Sequence, residues 1–242
     1  ASAQKARLRY QDARALIIGS LTNAAAKEIA SRDTGVHPAQ VGTLHALCYR
    51  QLNHPELTEK HLADWNKTHA PKYRQTISDK RYDRTPENAQ PEESYNGNPG
   101  DALMQRLDLY RHGMHEFYTY KKEIQQFAEK WQEWKEENML VDFTDLIERG
   151  LQWEFDDAAP FGAKLGIFDE CQDFSKLEWA LVHKWSKAMQ FVLVAGDDDQ
   201  CLYAWRGADP NSLIDMDPAP IEVRVLPQSY RLPHKIHTYC ED

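Results

Sequence analysis

F-D-E-C-Q-D at 168–173 closes a short apolar run made by Leu165, Ile167 and Phe168. A second apolar run at 191–195 follows, and it leads into G-D-D-D-Q-C-L-Y-A-W-R-G at 196–207. A buried strand that ends in two adjacent carboxylates can hold a hydrated Mg²⁺ and polarise a water beside a nucleotide phosphate. The second segment supplies an amide, two aromatic rings and a guanidinium, groups that suit a phosphate and an unpaired base. Each has a plainer explanation. Asp169 and Glu170 could simply complement the dipole at a helix N-terminus, and Trp205 could be buried beside an ordinary hairpin. Three consecutive aspartates, Asp197, Asp198 and Asp199, are a costly choice for a purely structural turn, because like charges repel.

Working outward, further apolar runs occur at 15–18, 41–44 and 221–226. Such runs predict strands buried on both faces, as in a parallel sheet covered by helices. Helical patterns separate them. Residues 23–31 are Ala-rich and follow a Thr-Asn pair suited to capping. Residues 176–187 place Leu177, Ala180, Leu181 and Trp185 on one face. The order is α/β.

The middle differs. From 51 to 138 no buried-strand pattern occurs, and 83–100 is rich in Pro, Glu, Asn and Gly, as expected of a loop. A long helix is expected over 101–138, with a break near Gly113. Its apolar positions Phe117, Tyr120, Ile124, Phe127, Trp131 and Trp134 have the spacing of a core-facing stripe. Lys72, Arg74, Lys80, Arg81 and Arg84, interleaved with Tyr73 and Tyr82, suit either a solvated surface or a nucleic-acid contact. The expected organisation is an α/β domain interrupted by a mainly helical insertion.

Composition excludes several classes. The 242 residues are 41% hydrophobic and 28% charged, and no apolar run approaches the length of a membrane span. The first residues carry no signal-peptide core. Four cysteines, Cys48, Cys171, Cys201 and Cys240, lack zinc-site spacing and fit reduced thiols of a cytoplasmic protein. Ten histidines are scattered without metal-ligand pairing. A net charge of −9 argues against a simple electrostatic coat for nucleic acid but not against a local basic groove.

F-D-E-C-Q-D, G-D-D-D-Q-C-L-Y-A-W-R-G-A and L-P-Q-S-Y-R-L-P at 226–233 together resemble motifs II, III and IV of the UvrD/Rep family of superfamily 1 DNA helicases. S-L-T-N-A-A-A-K-E-I at 20–29 is similar to motif Ia, and G-T-L-H-A-L at 42–47 to motif Ib. V-D-F-T-D-L-I at 141–147 matches the signature that precedes motif II. The resemblance implies a RecA-like P-loop NTPase sheet, split as 1–50 and 139–220, with a helical insertion at 51–138 and the start of a second RecA-like domain at 221–242. It implies ATP and Mg²⁺ as cofactors, single-stranded DNA and the single-strand/duplex junction as partners, and 3′ to 5′ translocation with duplex unwinding in the intact protein.

By the same resemblance Asp169 binds Mg²⁺, Glu170 activates water and Gln200 senses the γ-phosphate. Tyr230 stacks near the adenine, and Arg231 reaches the γ-phosphate as a clamp. Ser20, Thr22, Asn23, Thr43 and His45 contact the DNA backbone. Tyr203 and Trp205 stack on bases, with Arg206 beside them.

The chain departs from the family pattern in two ways. Leu21 stands where the family usually has an aromatic, and no G-x-x-x-x-G-K-[ST] occurs in the 242 residues. That loop supplies the phosphate cradle, and its expected place is just upstream of Ala1. The chain therefore reads as an internal segment of a longer helicase, nearly inactive by itself. Two alternatives stay open: a non-catalytic nucleic-acid-binding fragment or scaffold with a degenerate ATP site, and a related helicase–nuclease, for which no nuclease carboxylate cluster is visible.

Overall fold

The computed structural model describes residues 15–21, 36–77, 98–152, 159–204, 207–208, 211–214 and 222–225. Its centre is a four-stranded, all-parallel sheet of β1 (Leu16–Ser20), β2 (Val41–Thr43), β3 (Leu165–Asp169) and β4 (Phe191–Val194), in the order β2-β1-β3-β4. Alternate side chains of β1 feed two cores. Ile17 joins Phe168 and the helices, whereas Leu16 and Ile18 pack with Val41 and Leu165 on the opposite face. This two-sided burial is why β1 reads as an unbroken apolar run; β4, at the sheet edge, is only partly buried, with Phe191 54% exposed.

Helix α1 (Leu44–Gln51) follows β2, and α2 (Leu62–Thr68) comes next. Then come α3 (Pro99–His112), α4 (Lys122–Glu137), α5 (Phe143–Gln152), α6 (Lys176–Lys187) and a last short turn, α7 (Asn211–Ile214). Leu44, Leu47, Leu146, Ile147, Leu181 and Trp185, from α1, α5 and α6, bury one face of the sheet. A Cβ at Gly150 would stand 2.8 Å from Cys48 Sγ and 3.3 Å from Leu181 Cδ1, so this glycine sets how closely the three helices approach. Helix α6 spans the expected residues. It starts at a capping box in which Ser175 Oγ accepts from the Glu178 N–H and the Glu178 carboxylate accepts from the Ser175 N–H.

Three expectations change. The break expected near Gly113 is complete and makes two helices where one long, interrupted helix was expected over 101–138: α3 ends at Gly113, Met114 takes a left-handed φ of 55°, and a 3₁₀ turn (Phe117–Thr119) precedes α4. Positions on either side of the break meet again, Tyr110 stacking on Tyr120 at 4.4 Å and Arg106 pairing with Glu123 at 2.7 Å, so α4 folds back along α3. The aromatic stripe accordingly splits. Ile124, Phe127, Trp131 and Trp134 surround the buried Trp65 in a second core, while Phe117 in the turn is 46% exposed. The run at 221–226 forms no strand over its described part, 222–225, where Val223 and Val225 are exposed. Apolar residues make a strand only where a neighbour completes the ladder, and these four have none among the described residues. The helix expected at 23–31 lies outside the described residues.

Chain departure into the second core and return from it are stitched side by side. The Thr58 N–H donates to the Val141 carbonyl at 2.9 Å, and the Val141 N–H to the Glu56 carbonyl at 3.0 Å. Beyond the stitch, Asp142 and Asp145 each accept the other's backbone N–H at 2.8 Å. They also receive two buried cations, Arg111 from α3 and Lys135 from α4. Glu148 completes the network with Arg111 at 2.7 Å.

Candidate functional site

Because all four strands are parallel, their C-terminal ends lie on one edge. Register pairs Ser20 with Thr43 on one side and with Asp169 on the other, and Phe168 with Val194. Open parallel sheets present ligand sites at this edge, because the loops that leave it diverge there. Asp169 is the last residue of β3 and is half-buried; Glu170 follows, exposed, with φ 57° and ψ 39°. A left-handed backbone at a non-glycine residue is uncommon, and here it turns the chain sharply from the strand into a 3₁₀ turn (Cys171–Asp173).

That turn grips the 196–204 loop. The Cys171 N–H donates to the Ala195 carbonyl at 3.0 Å, and the Ala195 N–H to the Phe168 carbonyl at 2.8 Å. Gln172 Nε2 donates to Glu170 Oε2 at 2.8 Å, while its Oε1 accepts the Asp197 N–H at 3.1 Å. Asp173 Oδ1 accepts the Leu202 N–H at 2.9 Å. Gln200 Nε2 in turn donates to Asp197 Oδ2. Glu170 and Gln200, brought together from separate segments, are thus ends of one chain of hydrogen bonds. Asp197, Asp198 and Asp199 are all exposed, so water and salt screen the repulsion that makes the triplet look costly in sequence.

Electrostatics follow burial. Desolvation raises the Asp173 carboxyl above its ordinary value, opposed by the Leu202 and Tyr203 N–H groups. Burial pushes the Cys48 and Cys171 thiols far up, which keeps them protonated and unreactive. Among the described residues no group of three or more His, Cys, Asp or Glu could by itself cage a metal ion. A half-buried carboxylate at a strand end does fit Mg²⁺, which keeps several waters and takes one or two carboxylates besides substrate phosphates.

Other expected contacts fare differently. Ser20 is fully buried, and its Oγ has no hydrogen-bond partner among the described residues. The central strand is covered up to its last residue, so the Ser20 side chain is not exposed as the expected DNA contact would have it. Tyr203 is 8% exposed and packs in the main core, so its ring is not presented for stacking. Its alternation with Leu202, which is 72% exposed, was the sequence sign that one of the two faces inward. Thr43 Oγ1 caps α1 by accepting the Ala46 N–H at 3.1 Å. His45 is half-buried, with its ring 5.9 Å from Phe143 and 6.4 Å from His112. Thr22, Asn23, Trp205, Arg206, Tyr230 and Arg231 lie outside the described residues. In the basic stretch Tyr73 is buried, with the Lys72 ammonium 4.8 Å from its ring centre, and Lys72 and Arg74 are exposed.

Sequence reasoning did not find the packing beside the site. His112 Nδ1 and Ser175 Oγ lie 2.9 Å apart, and the hydroxyl donates to Glu178 Oε2 at 2.8 Å. This buried trio joins the end of α3 to the start of α6. The capping spacing of Ser175 and Glu178 was visible in sequence; the histidine, sixty-three residues distant, was not.

Comparison with known proteins agrees with this geometry. Residues 6–220 match the family described as the UvrD/REP helicase N-terminal domain. YjcD of Bacillus subtilis is 26% identical over 255 aligned positions, covering 91% of this chain and 31% of that protein. The ATP-dependent DNA helicase PcrA of Bacillus subtilis is 36% identical over 70 residues, and the ATP-dependent DNA helicase Rep of Escherichia coli 37% over 67. Those two matches cover 28% and 27% of this chain and 10% of each relative. The chain therefore spans about a third of the length of YjcD.

Proposed function

The chain belongs to the UvrD/REP helicase N-terminal domain family, and on that premise we propose that it forms the first motor domain of an ATP-driven DNA translocase. The carrying observation is the hydrogen-bonded path from Glu170 through Gln172 and Asp197 to Gln200 along the sheet edge. In this reading Glu170 orients and polarises the attacking water, and Gln200, exposed at the loop, meets the γ-phosphate. Asp169 holds Mg²⁺, which when bound neutralises charge on the phosphate oxygens. Tyr230 packs near the adenine, and Arg231 faces the γ-phosphate.

Contacts to single-stranded DNA are proposed for Thr22, Asn23, Thr43, His45, Trp205 and Arg206, with movement 3′ to 5′ toward a duplex junction in a cytoplasmic setting. Residues 1–50 and 139–220 form the motor domain and 51–138 the insertion, with 221–242 opening a second motor domain. The stitch at Leu57 and Val141 supports the insertion boundaries. No helix among the described residues is long and apolar enough to cross a membrane.

The test is ATP hydrolysis by the full-length gene product with and without oligo-dT. Glu170→Gln should lower DNA-stimulated kcat by about 10²–10⁴-fold, the usual contribution of a positioned acid–base group. Turnover within about twofold of wild type would remove Glu170 from the chemistry, since that loss is far below the general-base range. A second reading, a nucleic-acid-binding module without hydrolysis, draws on the lack of G-x-x-x-x-G-K-[ST] in these residues. It predicts DNA binding that nucleotide leaves unaltered.

A further inference from the structure

Gln172 is 1% exposed, yet both ends of its amide are used at the sheet edge. Nε2 donates to the Glu170 carboxylate at 2.8 Å and lies 3.5 Å from Asp173 Oδ2, while Oε1 accepts the Asp197 N–H at 3.1 Å. A carboxylate needs a donor and a backbone N–H needs an acceptor, so only a side chain with one of each, in this orientation, serves both. Loop and amide are also in van der Waals contact. A Cβ at Gly196 would sit 2.7 Å from Gln172 Oε1 and 3.1 Å from its backbone nitrogen. Asp173 holds the far side of the same loop through the Leu202 N–H. The loop is thus strapped at two points to the turn that carries Glu170.

We propose that Gln172 is a positioning residue that couples the carboxylate pair to the loop bearing Gln200 and leading to Trp205, so that nucleotide and DNA sense each other through this amide. This rests on the motor reading of the site given above. A displacement of Gln200 toward a phosphate draws on Asp197, whose N–H is held by Gln172. The amide then shifts against Glu170, and the orientation of that carboxylate becomes a function of the loop's position. Because binding linkage is reciprocal, DNA acting on the loop changes nucleotide affinity by the same factor that nucleotide changes DNA affinity.

The test measures that factor in the full-length gene product: the ratio of oligo-dT dissociation constants without and with a non-hydrolysable Mg·ATP analogue. Gln172→Met keeps the volume and removes both hydrogen bonds. The ratio should collapse to within about twofold of one, below the roughly fivefold at which allosteric coupling usually begins, while the affinity for each ligand alone is retained. Amide exchange over 196–203 should accelerate in the nucleotide-free protein, a readout independent of hydrolysis.

Gly196→Ala reaches the same amide from the exposed loop, without altering the buried residue, and should give the same loss of coupling. It decides the matter if Gln172→Met does not fold. A wild-type ratio well away from one that survives in the folded variants overturns this inference alone. A wild-type ratio of one overturns the motor reading and this inference with it.

Discussion

Lys135→Met tests the buried ion network most sharply. Arg111 and Lys135 serve three carboxylates, Asp142, Asp145 and Glu148, so the formal sum is two minus three, or −1. Lys135 Nζ lies 2.9 Å from Asp142 and 2.6–2.7 Å from both oxygens of Asp145, and its side chain is 3% exposed. Met fills similar volume but leaves a sum of −2 around two buried aspartates, Glu148 alone being partly exposed. Removing one partner of a buried pair costs about 3–5 kcal/mol, which for a chain of this size lowers Tm by about 6–20 °C.

The penalty also has a pH signature. Burial alone would raise the Asp142 carboxyl, but Arg111 and Lys135 outweigh it and hold the folded value far below the usual carboxylate range. A depressed folded pKa contributes stability that is fully present above the unfolded value, about 3.9, and is lost as pH falls toward the folded one. The gap between wild type and variant should therefore be widest at neutral pH and narrow below about 4, where the unfolded carboxylate takes up its proton. Urea titrations followed by tryptophan fluorescence at several pH values measure both features. Trp131, whose Nε1 donates to Asp142 at 2.8 Å, is a reporter inside the network. An unchanged urea midpoint, or a penalty that does not vary with pH, would refute the reasoning.

Ser175→Ala removes a helix cap and the buried hydroxyl that meets both His112 Nδ1 and Glu178 Oε2. The cost should exceed the ~1 kcal/mol typical of a lost cap, measured as the shift in unfolding midpoint. Trp205→Ala should weaken oligo-dT binding by about 1–3 kcal/mol if its ring stacks on a base; an unchanged titration would return that ring to a packing role. The 242-residue chain alone, incubated with Mg·ATP and oligo-dT, should hydrolyse at background because it carries no G-x-x-x-x-G-K-[ST] cradle. Robust turnover in a single-turnover assay would contradict the assigned need for that loop.

The parallel sheet was readable because strands buried within a sheet leave continuous apolar runs: those at 15–18, 41–44, 165–168 and 191–195 each coincide with a strand, although β4 at the sheet edge is only partly buried. The carboxylate end of β3 and its link to the next loop were readable because local spacing carried them. Burial of individual residues was not. Ser20 and Tyr203 look like surface hydroxyls in sequence, and only the packing around the sheet edge takes them inside. The break after α3 was signalled by Gly113, whereas the fold-back that pairs Arg106 with Glu123 depends on contacts across the turn. The run at 221–226 misled because apolar alternation says nothing about whether a partner strand is present. Asp142 and Asp145 were readable as part of the 141–147 signature, but the cations that complete their network come from α3 and α4, thirty-one and seven positions upstream of Asp142.

The stitch between Leu57 and Val141 has a consequence for how such chains diversify. Seen from the sheet, the whole excursion between those residues leaves and returns at one place, since its two ends are already fastened together by a parallel bridge. Loop-closure cost grows only slowly with length, so material added or trimmed beyond the fastening leaves strand register untouched, provided the end of α3 that His112 and Arg111 tie to the main domain is kept. The rest of the excursion can be remodelled while the sheet beneath it keeps its geometry.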